Sequence, residues 1–246
     1  MALLQIEGLT KRFGGLVAVN NVSLQINWGE AVSIVGPNGS GKSTLFNLIT
    51  GVYSSDEGKI IFDGQDVTRV PSYRRAHLGI GRTFQIPRPF GSLTVRENVA
   101  IGAMFGSEEG QCDVEEALVF ADEQLKRINF YNRRDRRGRE LTPTEMKLME
   151  IARALAMRPK LLLLDEAMAG MPPKDIDALV ELLKSIKHQK QIAVIAMVEH
   201  IMRAVASFAE RVIVLYQGKK LIEGPPEKAL SDPRVVDVYL GRESAD

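Results

Sequence analysis

The chain has 246 residues, of which 45% are hydrophobic and 26% charged, so it can bury a large core as one globular unit or one domain with a subdomain. Its 32 Lys and Arg residues balance 31 Asp and Glu residues, and a net charge of +1 gives no indication of a nucleic-acid or anionic-membrane surface. Three histidines and one cysteine, Cys112, exclude a disulfide framework and a cysteine-rich zinc site, in agreement with a reducing cytoplasm.

The sequence shows neither a membrane span nor a secretion signal. No run approaches the roughly 18 apolar residues of a span, and the first seven residues lack a basic segment followed by an apolar stretch. We therefore expect a cytoplasmic chain whose membrane contact, if it has one, comes through partner proteins.

The first third of the chain is rich in predicted strands. Apolar residues alternate or cluster between turn-forming residues at 3–7, 22–26, 31–35, 58–64 and 80–84. The pattern then becomes mostly helical from Thr94 to about Ala156. Beyond that segment, strands at 161–164, 192–198 and 212–215 alternate with a helix at 175–186, which predicts a parallel-sheet α/β core. The basic run 133–139 is short and follows an acidic stretch, so we interpret it as a solvated surface.

A glycine-rich turn follows the strand predicted at 31–35 and opens a helix near Lys42. It consists of Gly36, Pro37, Asn38, Gly39, Ser40, Gly41, Lys42, Ser43 and Thr44. Glycines let successive backbone N–H groups converge on a phosphate, and the helix start adds partial positive charge. Lys42 adds a full charge, Ser43 offers a hydroxyl to Mg²⁺, and Thr44 can donate to a more distal phosphate. A flexible Gly/Ser loop would not explain the strand before it and the helix after it.

Two carboxylates follow the fully apolar strand 161–164. Asp165 and Glu166 lie where open α/β sheets hold their ligands, at the carboxyl end of a strand, and they fit a Walker B motif. Asp165 would bind Mg²⁺, directly or through water, and Glu166 would polarise the water that attacks the terminal phosphate. Buried strands that end in acidic residues are common, so this pair indicates a nucleotide site only in combination with the phosphate loop.

Two further polar residues follow predicted strands. Gln85 could contact both Mg²⁺ and the attacking water, and His200 could hydrogen-bond the terminal phosphate. Each has a plain alternative, because an exposed loop Gln and a satisfied His at a strand end are both common.

The ordered series of phosphate loop, Gln85, Arg153, Asp165-Glu166 and His200 resembles the ATP-binding subunits of ABC transporters over essentially the whole chain. The runs 13–19, 82–85, 151–155 and 238–241 look more narrowly like the branched-chain amino-acid importer branch. The resemblance implies an α/β P-loop NTPase (RecA-like) core with an N-terminal antiparallel β subdomain. It further implies that residues 1–88 and 159–246 form the nucleotide-binding part of a single domain, with an inserted helical subdomain at 89–158.

The resemblance also implies roles and partners. Phe13 would stack on adenine, Gln85 would lie in the loop that senses the transmembrane subunits, and His200 would act as the switch. ATP and Mg²⁺ are the expected cofactors. The expected partners are a homologous ATPase subunit, as a homo- or heterodimer, and two transmembrane permease subunits at the inner face of the membrane, with no nucleic acid. Exposed apolar residues after Gln85, namely Ile86, Pro87, Phe90 and Leu93, would either receive a helix from a permease or pack within the subdomain.

The resemblance breaks down at the signature of these ATPases, a Leu-Ser-Gly-Gly-Gln-like run that begins a helix and closes over ATP held by the partner. The corresponding residues are Leu141, Thr142, Pro143, Thr144 and Glu145, without either glycine and with a carboxylate in place of the amide. Thr142 as N-cap, Pro143 at N1 and Glu145 at N3 instead predict a self-contained capping box.

This substitution should weaken the composite site that houses the partner's ATP. Pro143 removes one N–H donor, and Glu145 would repel a terminal phosphate while it competes for the same donors. ATP on this chain's Lys42 could still be hydrolysed under the intact signature of a different partner subunit. Residues 167–172 also lack the acidic or amide residue usual in the dimer-contacting loop, which puts communication between the two sites in doubt.

The leading interpretation is an ATPase subunit that powers uptake of branched-chain or related hydrophobic amino acids. A non-transport ABC ATPase that acts on nucleic acid or ribosomes would need added domains or a basic face, and neither is present. A regulatory subunit with weak or no turnover agrees with the altered signature, although Glu166 and His200 argue against it. A small-molecule kinase would need a second substrate pocket, which the sequence does not show.

Overall fold

The computed structural model of the chain describes residues 2–107, 112–188, 192–197 and 207–240. Its strands are β1 (Ala2–Phe13), β2 (Leu16–Asn27), β3 (Ala31–Val35), β4 (Glu57–Phe62), β5 (Gln65–Asp66), β6 (Ile80–Arg82), β7 (Leu161–Asp165), β8 (Ala193–Met197), β9 (Arg211–Tyr216) and β10 (Lys219–Gly224). Its helices are α1 (Lys42–Ile49), α2 (Ser72–His77), α3 (Val95–Phe105), α4 (Val114–Arg127), α5 (Pro143–Ala156), α6 (Pro173–His188), α7 (Pro226–Leu230) and α8 (Pro233–Leu240).

The strands form two sheets. The first is antiparallel, with the order β2-β1-β4-β5. The second has the order β10-β9-β3-β8-β7-β6, in which β6 to β9 and β3 run parallel and β10 pairs antiparallel with β9. The predicted parallel α/β core and the predicted N-terminal strands are both present.

The parallel sheet is buried on both faces. Successive side chains of a strand point to opposite faces, and in β7 Leu161 and Leu163 join a core with α1 and the antiparallel sheet, while Leu162 and Leu164 join a second core with α3 to α6. Burial on both faces explains why the sequences of these strands are nearly continuous apolar runs.

The structure differs from the predicted elements at several ends. The strand predicted at 80–84 ends at Arg82, and two residues farther on the Phe84 N–H donates to the Glu150 carboxylate at 3.0 Å. The segment 95–156 holds three α-helices. The short elements α2, β10, α7 and α8 were not predicted. His200, Val198 and Gly241 lie outside the described residues, and among those described no helix has the length and apolar character needed to cross a bilayer.

Candidate functional site

The phosphate loop connects β3 to α1 and depends on glycine at two close approaches. Gly36 has φ +151°, and a Cβ there would lie 2.1 Å from the carbonyl oxygen of Leu215. Gly41, the N-cap of α1, has φ +101°, and a Cβ there would lie 2.4 Å from the carbonyl oxygen of Ala18. Any other residue would therefore push the loop away from β9 or β2.

Lys42 lies inside this loop. Its side chain is buried, and Nζ donates to the carbonyl oxygens of Gly36 at 2.7 Å and Pro37 at 2.9 Å. The adjacent Ser43 is exposed, and Thr44 is partly exposed, in the first turn of α1. The loop thus holds a cation beneath it and hydroxyls at its surface, a combination suited to a polyphosphate.

A cleft of about 470 Å³ runs from the phosphate loop to the end of β1. It is lined by Phe13, Leu16, Val17, Ala18, Gln217 and residues 39–44. Phe13 is 42% exposed, and its ring packs edge-on against Tyr53 with the centroids 5.3 Å apart. The structure therefore places Phe13 beside the phosphate loop, with part of its ring surface exposed in the cleft.

The carboxyl ends of β6 and β7 bring Gln85, Asp165 and Glu166 together. Asp165 is buried, and its Oδ2 accepts from Arg82 Nη2 at 2.6 Å, while its N–H donates to Thr83 Oγ1 at 3.1 Å. Gln85 Nε2 donates to Glu166 Oε2 at 2.8 Å. The side chains that the sequence placed on separate strands are thus neighbours, since parallel strands end at one edge of the sheet.

Arg82 also connects this group to the phosphate-loop helix. Its Nη1 donates to Asn47 Oδ1 in α1 at 2.6 Å and to Thr50 Oγ1 at 3.2 Å. One guanidinium therefore links α1 to Asp165. In the sequence Arg82 stands out only as part of the run 82–85, because nothing local shows that its partners lie 35 and 83 residues away along the chain.

Glu166 adopts an uncommon backbone conformation for a residue other than glycine, with φ +48°. Lys147 of α5 supports this turn, because its Nζ donates to the carbonyl oxygens of Glu166 at 3.0 Å and Ala169 at 2.7 Å. Burial lowers the pKa of Lys147, and the charges of Glu166 and Glu150 offset this only in part. Lys147 was not predicted as a site residue.

The start of α5 is the capping box that the sequence predicts. Glu145 N–H donates to Thr142 Oγ1 at 3.3 Å, Thr142 N–H donates to Glu145 Oε2 at 2.9 Å, and Pro143 occupies N1. Thr144 is partly exposed beside them. This helix end uses its own side chains to satisfy its N–H groups.

The Glu145 carboxylate is paired with two arginines. Arg136 Nη1 lies 3.1 Å and Arg133 Nε 3.3 Å from Glu145 Oε1, so two guanidinium groups offset the carboxylate that was expected to repel phosphate. Burial opposes ionisation of Glu145, but the hydrogen bonds from Thr142 and these two charges outweigh it and hold its pKa below the usual range. Part of the basic run is therefore paired with α5.

The segment after Gln85 is held by α5. The buried Glu150 carboxylate accepts from the Phe84 N–H and from Arg153 at 3.2 Å, and Arg153 donates to the Arg88 carbonyl at 3.3 Å. Burial raises the pKa of Glu150 despite these donors. An apolar groove of about 300 Å³ lies here, lined by Arg82, Phe84, Arg88, Phe90, Ile101, Gly102, Phe105, Arg153, Ala154 and Met157. Of the four groove residues expected from the sequence, Phe90 lines it, whereas Ile86, Pro87 and Leu93 do not.

The sequence matches a known family model and full-length relatives. Residues 19–169 match the ABC transporter model. The chain is 35% identical over 250 residues to the high-affinity branched-chain amino acid transport ATP-binding protein BraF of Pseudomonas aeruginosa, with 97% of this chain and 98% of BraF covered. It is also 35% identical to a probable branched-chain amino acid transport ATP-binding protein, LivG, of Archaeoglobus fulgidus, with 100% and 98% covered.

Solved structures agree with the sequence comparisons. The ADP conformation of MJ1267, an ATP-binding cassette of an ABC transporter, superposes with a TM-score of 0.87 at 34% identity over 98% of this chain and 99% of that one. The cassette MJ0796, in a dimeric post-hydrolysis state bound to ADP and Pi, gives a TM-score of 0.83 at 28% identity over 91% and 98%. These similarities confirm the predicted P-loop NTPase fold with its antiparallel β subdomain. The chain belongs to the ABC transporter family, as one of its ATP-binding cassette ATPases.

Proposed function

We propose that this chain binds ATP with Mg²⁺, hydrolyses it, and so powers uptake of branched-chain or related hydrophobic amino acids through separate permease subunits. The observation that carries the proposal is the Gln85–Glu166 hydrogen bond at the end of β7, on the sheet edge that also carries the phosphate loop. The amino-acid cargo is supported by the names of full-length relatives such as BraF.

The described residues divide into groups that act on different parts of the nucleotide. Backbone N–H groups of residues 38, 39 and 41–44 and the Lys42 ammonium bind the phosphates, and Phe13 stacks on the base. Glu166 is the general base, and its hydrogen bond from Gln85 orients the carboxylate toward the attacking water. His200, outside the described residues, is proposed as the switch that contacts the terminal phosphate.

The donors beside the phosphate loop fit Mg²⁺. Ser43 supplies a hydroxyl, Asp165 a carboxylate and Gln85 an amide oxygen, all of them hard oxygen ligands. Among the described residues no cluster of three His, Cys, Asp or Glu side chains could hold a metal by itself. That agrees with Mg²⁺, which usually combines one or two carboxylates with substrate phosphates rather than an all-protein cage. When bound, the ion would neutralise charge on the phosphates.

The proposed assembly pairs this chain with a homologous ATPase subunit and two permeases. Support for a dimer comes from the dimeric cassette MJ0796. We place the permease contact at the apolar groove, because exposed aromatic side chains, among them Phe84, Phe90 and Phe105, surround it. We also propose the predicted division, with a helical subdomain at 89–158 inserted between the two parts of the nucleotide-binding core.

ATP hydrolysis by the purified chain, alone and with a candidate partner ATPase subunit, tests the enzymatic part. Glu166→Gln should lower turnover by about 10²–10⁴-fold, because the amide cannot accept a proton from water. ATP affinity should stay near that of the unaltered chain, since the phosphate loop is untouched. The matched control is Glu181→Gln, on the exposed face of α6, which should keep full turnover. Equal turnover in both variants would contradict the role of Glu166.

A regulatory subunit with weak or no turnover is the second candidate, and one observation favours it. The start of α5 is closed by the Thr142–Glu145 capping box, with Pro143 at N1, where a partner's ATP would need free N–H donors. This candidate predicts ATP binding without hydrolysis even when a partner ATPase subunit is present.

A further inference from the structure

Arg82 is a nearly buried cation at the edge of the candidate site. Its side chain is 8% exposed, and the guanidinium carbon lies over the rings of Phe46 and Phe84, 5.8 and 5.2 Å from their centroids. Its guanidinium group contacts two elements. Nη2 donates to Asp165 in β7, and Nη1 donates to Asn47 in α1 and to Thr50 at the end of that helix. A planar, forked donor can make both contacts at once, and a lysine cannot.

The contacts of Arg82 lie beside the proposed Mg²⁺ ligands. Asn47 follows Ser43 by four residues in α1, so the two side chains share one face of the helix. Asp165 is held at the other end of the same guanidinium group. Arg82 and Asn47 therefore connect the helix that carries Ser43 to the Asp165 carboxylate.

Thr83, the residue after Arg82, binds the backbone of β7. Thr83 Oγ1 accepts the Asp165 N–H, and Thr83 N–H donates to the carbonyl oxygen of Leu163 at 2.9 Å. Because Thr83 fixes the backbone of β7, the hydrogen bond from Arg82 serves to orient the side-chain carboxylate of Asp165. A packing role alone would not require three polar partners on two elements.

We propose that Arg82 is a positioning residue for Mg²⁺, which fastens α1 to Asp165 and holds the Ser43 hydroxyl and the Asp165 carboxylate at the spacing that the ion needs. The proposal rests on the proposed ATPase function. Side chains that orient metal ligands from outside typically change metal affinity by about 10–100-fold when they are lost. Nucleotide binding without metal does not depend on this spacing.

The test measures binding of a fluorescent ATP analogue in EDTA and across a Mg²⁺ titration. Arg82→Lys keeps the positive charge but loses the two separate nitrogen donors of the guanidinium group. It should raise the half-saturating Mg²⁺ concentration by about 10–100-fold. Asn47→Ala keeps the Arg82–Asp165 pair but removes the shorter of the two hydrogen bonds that Arg82 makes to the α1 region, and it should shift the Mg²⁺ requirement in the same direction. In EDTA, both variants should bind the analogue within about twofold of the unaltered chain, since the phosphate loop is intact.

Controls separate this proposal from damage to the fold. Arg96→Lys alters another arginine in an ion pair, with Asp122 at 2.8 Å between α3 and α4, and should leave the Mg²⁺ requirement unchanged. If Arg82→Lys does not fold in a thermal melt, Asn47→Ala still decides. Equal losses with and without Mg²⁺, or no change in either, would overturn the role of Arg82. Failure of the unaltered chain to bind the analogue in EDTA would instead count against the proposed function.

Discussion

Arg75 shows how a single side chain supports the helix that carries the phosphate loop. Its buried guanidinium group donates to the carbonyl oxygens of Leu48 at 2.7 Å and Ile49 at 2.9 Å, which are among the last carbonyls of α1. It also donates to the carbonyls of Val70 and Thr68. Burial lowers the pKa of Arg75 to about 10, so the group stays charged at neutral pH.

Replacing Arg75 should destabilise the chain without touching the nucleotide cleft. Arg75→Met removes a charged donor from four carbonyls, and we expect the free energy of unfolding to fall by about 2–3 kcal/mol. Urea denaturation measures the change. Arg74→Met, at the exposed neighbouring position, is the matched control and should change stability by less than about 0.5 kcal/mol. Equal effects of the two substitutions would show that the carbonyl contacts do not stabilise α1.

At the scale of elements, α5 organises the site from one side. Its first turn closes on itself through Thr142 and Glu145, and farther along Lys147 and Glu150 hold the turn after β7 and the segment after β6. One helix therefore contacts both segments that carry Glu166 and Gln85. Because these contacts lie on one rigid element, a movement of α5 would displace the segments of both Glu166 and Gln85.

The charge of Glu145 should make the stability of this element depend on pH. Its folded pKa is held below the unfolded value, so the charge stabilises the fold above the unfolded pKa of about 4.3, and the contribution is lost as the pH falls through the folded pKa. Glu145→Gln keeps an acceptor for the capping box but removes the charge. We expect this variant to be about 0.5–1 kcal/mol less stable at pH 7.

Denaturant melts of both proteins between pH 7 and pH 2 measure this difference. The two curves should converge as the pH falls. A difference that persists at low pH would mean that Glu145 acts through packing or hydrogen bonds and not through its charge.

At the scale of the whole molecule, the sheet order assembles the site. The phosphate loop follows β3, Asp165 ends β7 and Gln85 follows β6, and these strands run parallel, so all three reach the same edge. At the start of α5, by contrast, the capping box takes the N–H groups of Thr142 and Glu145, and Pro143 has none. In the proposed function, the molecule therefore combines a phosphate loop and an acidic end of β7 with an altered signature at the start of α5.

This asymmetry predicts how the chain assembles. With ATP and Glu166→Gln to prevent turnover, the chain alone should remain monomeric by light scattering, because each site of a homodimer would need the altered signature of residues 142–145. Substituting Ser, Gly, Gly and Gln at these positions should restore an ATP-dependent dimer. An ATP-trapped dimer of the chain that carries Glu166→Gln alone, with no other substitution, would refute the prediction.

The elements that rest on short-range pattern were predictable. The strand 31–35 was predicted with its observed ends, and the α5 capping box was predicted residue by residue, because both depend on neighbours within four positions. The short helices α2, α7 and α8 were not, since they span only five to eight residues and carry little periodicity of their own.

The phosphate loop, the acidic end of β7 and the family were predictable from the sequence, because each depends on contiguous runs of residue types. Tertiary structure alone decided that Arg82 joins Asn47 to Asp165 and that Glu150 holds the Phe84 N–H. These partners lie between 35 and 83 residues apart along the chain. They meet because β6 pairs with β7 and α5 packs beside them, and the order of strands in a sheet is not encoded in any local pattern.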